Sequence, residues 1–154
     1  MVVVFLNTDL ELIIRLALAF ILGSLFGLER EKRHKPAGLR THTLVCLGAA
    51  LFTIAGTYGF PVADSTSAIK DYDPARVAAQ IVSGVGFIGG GIIFKEHDHV
   101  QGITTAASIW LTAGLGMGIG AGLYILTGTA ALLGLVGLKL DRFLDHSEGG
   151  EFPE

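Results

Sequence analysis

The chain has 154 residues, of which 51% are hydrophobic and 16% charged, with a formal net charge of −3. Soluble domains are about one quarter charged, so this composition argues against a soluble globular protein and favours an integral membrane protein. Glu148, Glu151 and Glu154 supply three of the negative charges, so the net charge says little about a nucleic-acid partner, and none is expected. The single cysteine, Cys46, excludes an internal disulfide and a cysteine-based metal site.

The first predicted membrane span covers residues 10–28, interrupted by Glu11 and Arg15. A helix of this length reaches roughly 28 Å, about the thickness of the hydrocarbon core. Arg15 can pair with Glu11 one turn back or reach the outer interface; the alternative is an intramembrane charge with a functional partner. Gly23 and Gly27 form a G-x-x-x-G pair, which predicts close helix packing.

The most charged stretch of the chain, residues 27–43, joins this span to the next. Pro36 and Gly38 exclude a continuous helix, and the turn they form can bring the two helix ends together. We expect Glu29 to pair with Arg40 or Arg30; the alternative is a set of solvated charges that only sets topology. The candidate functional residues of this charged loop are Glu29, Arg30, Pro36, Gly38, Arg40, Thr41 and His42.

The second and third spans are predicted at residues 40–58 and 75–94, with a polar loop at 59–74 between them. In the third span a glycine run lies at residues 84–91. It lacks the Lys-Ser/Thr ending of a phosphate-binding loop, so close helix packing is the better interpretation. Gly86 and Gly90 are therefore predicted at helix–helix contacts.

Residues 95–101 are predicted to form a polar turn, where His97 and His99 suggest either a metal site or simply solvated side chains. The fourth and fifth spans are predicted at residues 103–120 and 121–138, joined by a very tight turn. Thr104, Ser108 and Thr112 follow at helical spacing, with Thr105 alongside, so their hydroxyls can bond to a neighbouring helix. The candidate intramembrane polar residues are Arg15, Arg76, Gln80, Ser83, Thr104, Thr105 and Ser108.

Charge asymmetry orients these five spans. Lysines and arginines concentrate in residues 27–43, at Lys95 and at Lys139 and Arg142, whereas the other side receives Lys70 and Arg76. The positive-inside rule therefore predicts an all-α bundle with its N-terminus outside and its C-terminus cytoplasmic. Residues 1–142 form the transmembrane domain of this prediction, and residues 143–154 a short polar cytoplasmic tail.

Four segments carry a resemblance to a known family. They read R-L-A-L-A-F-I-L-G at residues 15–23, G-L-E-R-E-K-R-H-K-P-A-G-L-R-T-H-T-L-V-C-L-G-A-A-L-F at 27–52, D-P-A-R-V-A-A-Q-I-V-S-G-V-G-F-I-G-G-G-I-I-F at 73–94 and G-I-T-T-A-A-S-I-W-L-T-A at 102–113. Together they resemble the membrane domain of the MgtC/SapB family. Many members add a cytoplasmic ACT-like domain, which is not expected in a chain that ends at Glu154. Gln101 and Thr104 depart from residues that are common in the family.

The resemblance implies five transmembrane helices in the bacterial inner membrane and a regulatory protein that acts on other membrane proteins. It also implies an association with growth at low magnesium and with survival of pathogens inside host cells. No enzymatic activity or cofactor is expected, because the sequence shows no nucleophile with a matched base and no cofactor motif. No magnesium site is expected either, because spans two to five contain no carboxylate and Glu29 and Glu31 lie among cations. Expected partners are the lipid bilayer, other membrane proteins and a second copy in a homodimer.

A second function remains open beside this one. Arg15, Arg76 and Gln80 within or near the spans, together with glycine-rich helices, suit a small transporter or channel for magnesium or another cation. Five short helices leave little room for a pathway, so such a conduit is expected to need an oligomer.

Overall fold

The computed structural model describes residues 2–59, 73–97 and 99–140. The predicted loop residue Lys70 and the predicted tail at 143–154 lie outside these ranges. The described chain forms five α-helices and one short hairpin. In chain order the elements are α1 (Val2–Lys32), α2 (Leu39–Tyr58), α3 (Pro74–Ile92), β1 (Phe94–Glu96), β2 (His99–Gln101), α4 (Ile103–Gly120) and α5 (Tyr124–Gly137).

The all-α membrane fold predicted from the sequence is confirmed. Four helices of the described chain are long and apolar enough to cross a membrane, namely Asp9–Lys32, Leu39–Tyr58, Ala75–Ile92 and Ile103–Gly120. With 14 residues, α5 reaches only about 21 Å, less than the hydrocarbon core. Its two ends nevertheless lie at distant points of α1. The Arg15 guanidinium donates to the Gly120 carbonyl just before α5, and Arg33 donates to the Leu138 carbonyl just after it.

Helix α4 lies at the centre of the bundle and contacts the other four helices. Small residues allow α4 to pack this closely against its neighbours. A Cβ at Gly116 would collide with the Cys46 carbonyl oxygen of α2, and one at Gly120 would lie 2.8 Å from the Ala50 oxygen. One core cluster joins α1, α2, α4 and α5 and consists of Ala19, Phe26, Cys46, Ala50, Leu115, Ile119 and Ala131. The other joins α2, α3 and α4 and consists of Ala49, Ile81, Val85, Ile109 and Ala113.

Several boundaries differ from the sequence prediction. Helix α1 covers Val2–Lys32 where a span at residues 10–28 was predicted, and α5 covers Tyr124–Gly137 where residues 121–138 were predicted. The third helix ends at Ile92 and not at residue 94, because the backbone of Ile93 is extended. Residues 94–101 then form an antiparallel hairpin in which Phe94 pairs with Gln101 and Glu96 with His99. The predicted polar turn is therefore the tip of a hairpin, with His97 and His99 exposed. By contrast, α4 has the bounds predicted for the fourth span.

The segments predicted to share one side of the membrane do meet at one end of the bundle. Arg33 and Lys35 of the charged loop, Gln101 of the hairpin and Leu138 after α5 line a common cavity. We call this the loop end. The assignment of this end to the cytoplasm stays a prediction from charge asymmetry.

Thiol labelling tests the orientation. In a Cys46-free background, we expect a cysteine at position 70 to react with an impermeant reagent in intact cells and a cysteine at position 35 to react only after lysis. The reason is that positively charged loops are retained in the cytoplasm. Labelling at position 35 but not at position 70 would reverse the orientation.

Candidate functional site

A buried polar cluster lies near the loop end, between α1, α2 and α4. The Arg30 side chain from the last turn of α1 donates to the Thr105 hydroxyl at 2.7 Å, and Arg30 is only 3% exposed. His42 from the first turn of α2 is fully buried, and its Nε2 lies 3.1 Å from the Ser108 hydroxyl. Ser108 donates to the Thr105 carbonyl, and Thr112 donates to the Ser108 carbonyl, each at 2.8 Å. We call Arg30, His42, Thr105, Ser108 and Thr112 the Arg30 cluster.

The inward-facing hydroxyls of α4 differ from the prediction at one residue, Thr104. Thr105, Ser108 and Thr112 face the bundle interior, whereas Thr104 is exposed. Spacings of three and four residues return to one helix face, and only Thr105 is placed to meet Arg30. The predicted hydrogen bonding between helices is present, but it runs from Thr105 and Ser108 rather than from Thr104.

The hydrogen bonds of His42 and Ser108 depend on which ring nitrogen of His42 carries the proton. His42 Nδ1 lies 3.1 Å from the Gly38 carbonyl oxygen, and Nε2 lies 3.1 Å from the Ser108 hydroxyl. A serine hydroxyl carries one proton, and Ser108 also faces the Thr105 carbonyl. If Ser108 donates to that carbonyl, His42 Nε2 donates to Ser108, and a neutral His42 then has no Nδ1 proton for the Gly38 carbonyl. If Nδ1 donates to Gly38 instead, Ser108 donates to Nε2 and the Thr105 carbonyl loses the serine bond. The cluster therefore has two alternative hydrogen-bond patterns.

The predicted pairing of Glu29 with Arg40 is wrong. Glu29 pairs with Arg33 one helical turn later, with 2.6 Å between Arg33 Nε and Glu29 Oε1. Arg40 is exposed at the start of α2 and forms no ion pair with Glu29. The reason is that α1 stays helical to Lys32, which places Glu29 and Arg33 on the same face. Nor does Arg30 point out to the loop, since it bonds to Thr105.

Glu31, and not Glu29, connects the end of α1 to the start of α2. Its carboxylate accepts a hydrogen bond from the Leu39 N–H at 2.8 Å, at the first residue of α2. A carboxylate in this position caps a helix start and is stabilised by the helix dipole. Gly38 lies close against Glu31, while Pro36 is exposed and Thr41 half-buried. The i, i+4 spacing of Glu29 and Arg33 could have been recognised in the sequence, but the Glu31 cap could not.

A second buried charge, Arg15, lies near the middle of α1, about four turns before Arg30. Arg15 is 7% exposed, pairs with Glu11 as one of the two sequence interpretations expected, and donates to the Gly120 carbonyl at 2.7 Å. Its guanidinium also lies over the Tyr58 ring, 5.7 Å from the centroid. Arg15 therefore connects α1 to the ends of α2 and α4.

Helix α3 presents its polar residues away from the bundle. Arg76, Gln80 and Ser83 are all exposed. Arg76 and Gln80 line one end of an otherwise apolar groove of about 780 Å³ between α2 and α3.

The packing prediction is met by one glycine pair and contradicted by the other. A Cβ at Gly23 would lie 2.7 Å from the Cys46 Cβ, and one at Gly27 would lie 2.5 Å from the Leu39 Cα, so both glycines lie at the α1–α2 contact. Gly86 and Gly90 were predicted wrongly, because no atom of the described chain lies within 4 Å of a Cβ built at either. They lie on the outward side of α3, since Ile81 and Val85 occupy its inward side.

A cavity of about 660 Å³ opens at the loop end beside the Arg30 cluster. Arg30, Arg33 and Lys35 line it on one side, and the start of α4 lines it on another. Gln101 and Thr104, the two positions at which the family resemblance predicted a departure, both line this cavity. The Gln101 amide donates to Glu96 across the hairpin. We call this space the loop-end cavity.

Comparison with known proteins identifies relatives over most of the chain. YhiD of Escherichia coli (strain K12), named as a proposed magnesium transporter, is 52% identical over 114 residues, which are 74% of this chain and 53% of YhiD. Protein MgtC of Brucella abortus (strain 2308) is 53% identical over 108 residues, 70% of this chain and 42% of that protein. A Synechocystis protein is 43% identical over 140 residues, 88% of this chain and 56% of that protein.

The chain spans about half the length of these curated relatives. No solved structure matches it. A family model described as the MgtC family matches residues 16–147, which include all five helices except the first part of α1. On this match and these identities, the chain belongs to the MgtC family.

Proposed function

We propose that this chain is a non-enzymatic regulatory protein of the bacterial inner membrane that acts by binding a transmembrane helix of another membrane protein. Adaptation to low magnesium and survival inside host cells are the processes that the family resemblance suggests. The observation that carries the proposal is the outward face of α3. Only 17% of the α3 span is buried within the chain, compared with 56% of the α4 span.

The glycines of α3 support a helix as the occupant. Gly86 and Gly90, four residues apart, share one side of its outward surface, and Gly84 and Gly91, seven residues apart, share another. None of the four has an atom of the described chain within 4 Å of a built Cβ. Glycine in a helix interior costs about 1 kcal/mol relative to alanine, and lipid chains gain nothing from it. A second helix does gain, because glycine lets two backbones approach closely.

The lining of the groove between α2 and α3 suits an apolar helix. Gly48 of α2 lines this groove, as does Gly84 of α3, and no atom of the described chain lies within 4 Å of a Cβ built at Gly48. Only Arg76 and Gln80, both at the first two turns of α3, break the apolar lining. An apolar helix with an acidic or polar residue near one end is therefore the partner that we expect.

Photo-crosslinking in cells tests this function. A photoreactive residue at Phe87, which is 87% exposed on α3, is expected to capture one or a few specific membrane proteins. The matched control is Ile125, which is 89% exposed on α5. Gly86→Leu and Gly90→Leu are expected to abolish both that crosslink and the rescue of growth at low magnesium in a strain lacking the gene, with the unfolding temperature in detergent unchanged. The reason is that leucine has room in the isolated chain but blocks a second helix.

Other results would contradict the proposal. Capture of lipid alone, or full rescue by both leucine variants at normal membrane levels, would show that the α3 face binds no protein. Crosslinks only between copies of this chain would make α3 a self-association surface and leave the partner protein without support.

Transport is the second candidate, and the buried cations Arg15 and Arg30 in the helix bundle support it. The name of YhiD proposes this activity for that relative. Flux of magnesium into liposomes that contain the purified, folded protein, and not into protein-free liposomes, would establish it in place of the regulatory function.

A further inference from the structure

The loop-end cavity combines positive charge with an apolar rim. Its cationic side is formed by Arg30 of α1 and by Arg33 and Lys35 of the turn that follows α1. Three apolar residues of its lining, Phe94, Val100 and Ile103, are each more than half exposed. The cavity, at about 660 Å³, is large enough for a phosphate group together with the carbon skeleton attached to it.

The two arginines are held in place rather than extended into solvent. Arg30 is 3% exposed and bonds to Thr105, whose position also lines the cavity. Arg33 bonds to Glu29 and to the Leu138 carbonyl, which fixes its guanidinium between α1 and the end of α5. Lys35 is exposed and adds a third cation. Glu29 is paired with Arg33 and Glu96 accepts from Gln101, but no carboxylate is among the described residues that line the cavity, so the charge of the lining is positive.

The start of α4 adds a second source of positive potential to the same cavity. Gly102, the residue before the helix, has φ of 88°, and no side chain of the described residues caps the first turn. The first N–H groups of a helix carry partial positive charge and attract anions. Thr104 is exposed in that turn and offers a hydroxyl to the same space.

We propose that the loop-end cavity binds a phosphate-type anion, held by Arg30, Arg33, Lys35 and the first turn of α4. Phosphate suits this set because guanidinium groups bind it with paired hydrogen bonds and an ammonium group adds charge. The anion has two sources, the headgroup of an anionic phospholipid or a soluble phosphate compound. The exposed Phe94, Val100 and Ile103 extend the site for the apolar part of a lipid.

Two binding measurements on the full chain separate the sources. The first titrates inorganic phosphate calorimetrically into the protein in phosphatidylcholine nanodiscs. The second uses native mass spectrometry to count phosphatidylglycerol molecules that stay bound after delipidation. Binding in the first identifies a soluble phosphate ligand, and binding in the second alone identifies the lipid headgroup.

Three variants test the residues. Lys35→Gln is expected to weaken binding about tenfold through loss of a charged hydrogen bond. Thr104→Glu is expected to abolish binding, because it places a carboxylate in the cavity while the helix start accommodates that charge. Lys32→Gln is the matched control, since Lys32 is exposed in the same loop but does not line the cavity. Absence of binding by both probes, or equal weakening by Lys32→Gln and Lys35→Gln, would overturn the proposal.

Discussion

Gly27→Ala and Gly116→Ala are each expected to abolish folded expression, although each adds only one methyl group. A Cβ at position 27 would lie 2.5 Å from the Leu39 Cα, and one at position 116 would collide with the Cys46 carbonyl oxygen. Both neighbours are backbone atoms of α2, so a side-chain rearrangement cannot relieve the contact, and the helices must separate. Fluorescence size-exclusion chromatography and the unfolding temperature in detergent measure the effect.

Gly90→Ala is the control for this prediction. The same methyl group at position 90 meets no atom of the described chain within 4 Å, and alanine is the better helix former. We expect expression and unfolding temperature equal to or above those of the parent. Equal damage by Gly27→Ala and Gly90→Ala would mean that the α1–α2 contact is not the reason for the loss.

Arg30→Lys is expected to lower the free energy of unfolding by about 2 kcal/mol, the range for hydrogen bonds of charged groups. Lysine keeps the charge that topology requires, but it lacks the planar set of donors that reaches Thr105. Arg40→Lys is the matched control in the same segment, and we expect it to behave like the parent because Arg40 is exposed. Chemical unfolding in detergent, with membrane levels checked, gives the comparison.

A double-mutant cycle with Thr105→Val assigns the loss to the contact. If the Arg30–Thr105 bond carries the effect, Arg30→Lys adds less damage in the valine background than in the parent. Greater damage from Arg40→Lys than from Arg30→Lys would restore the interpretation that Arg40 is the paired arginine of the loop.

Hydropathy and charge in the sequence were sufficient to predict where the helices lie along the chain and which helix ends share one side of the bundle. The bounds of α4 were predicted to the residue, because Gly102 and the polar hairpin precede the helix and a glycine turn follows it. The meeting of Arg33, Lys35, Gln101 and Leu138 at one end also follows from alternation of spans. Burial in lipid explains this success, since each span must satisfy its own backbone hydrogen bonds wherever its neighbours lie.

The tertiary structure alone decided which face of each helix meets another helix. Glycine is common both at helix contacts and on α3, so composition could not separate Gly27, which lies against Leu39, from Gly90, which lies in open space. Glu29 had several cations within reach in the sequence, and only the continuation of α1 selected Arg33. The inward position of Thr105 in place of Thr104 depends on the rotation of α4 about its axis. The sequence determined where the apolar helices lie along the chain. The rotation of each helix and the choice of its neighbouring residues depend on contacts between distant segments, and the periodicity within one helix does not encode those contacts.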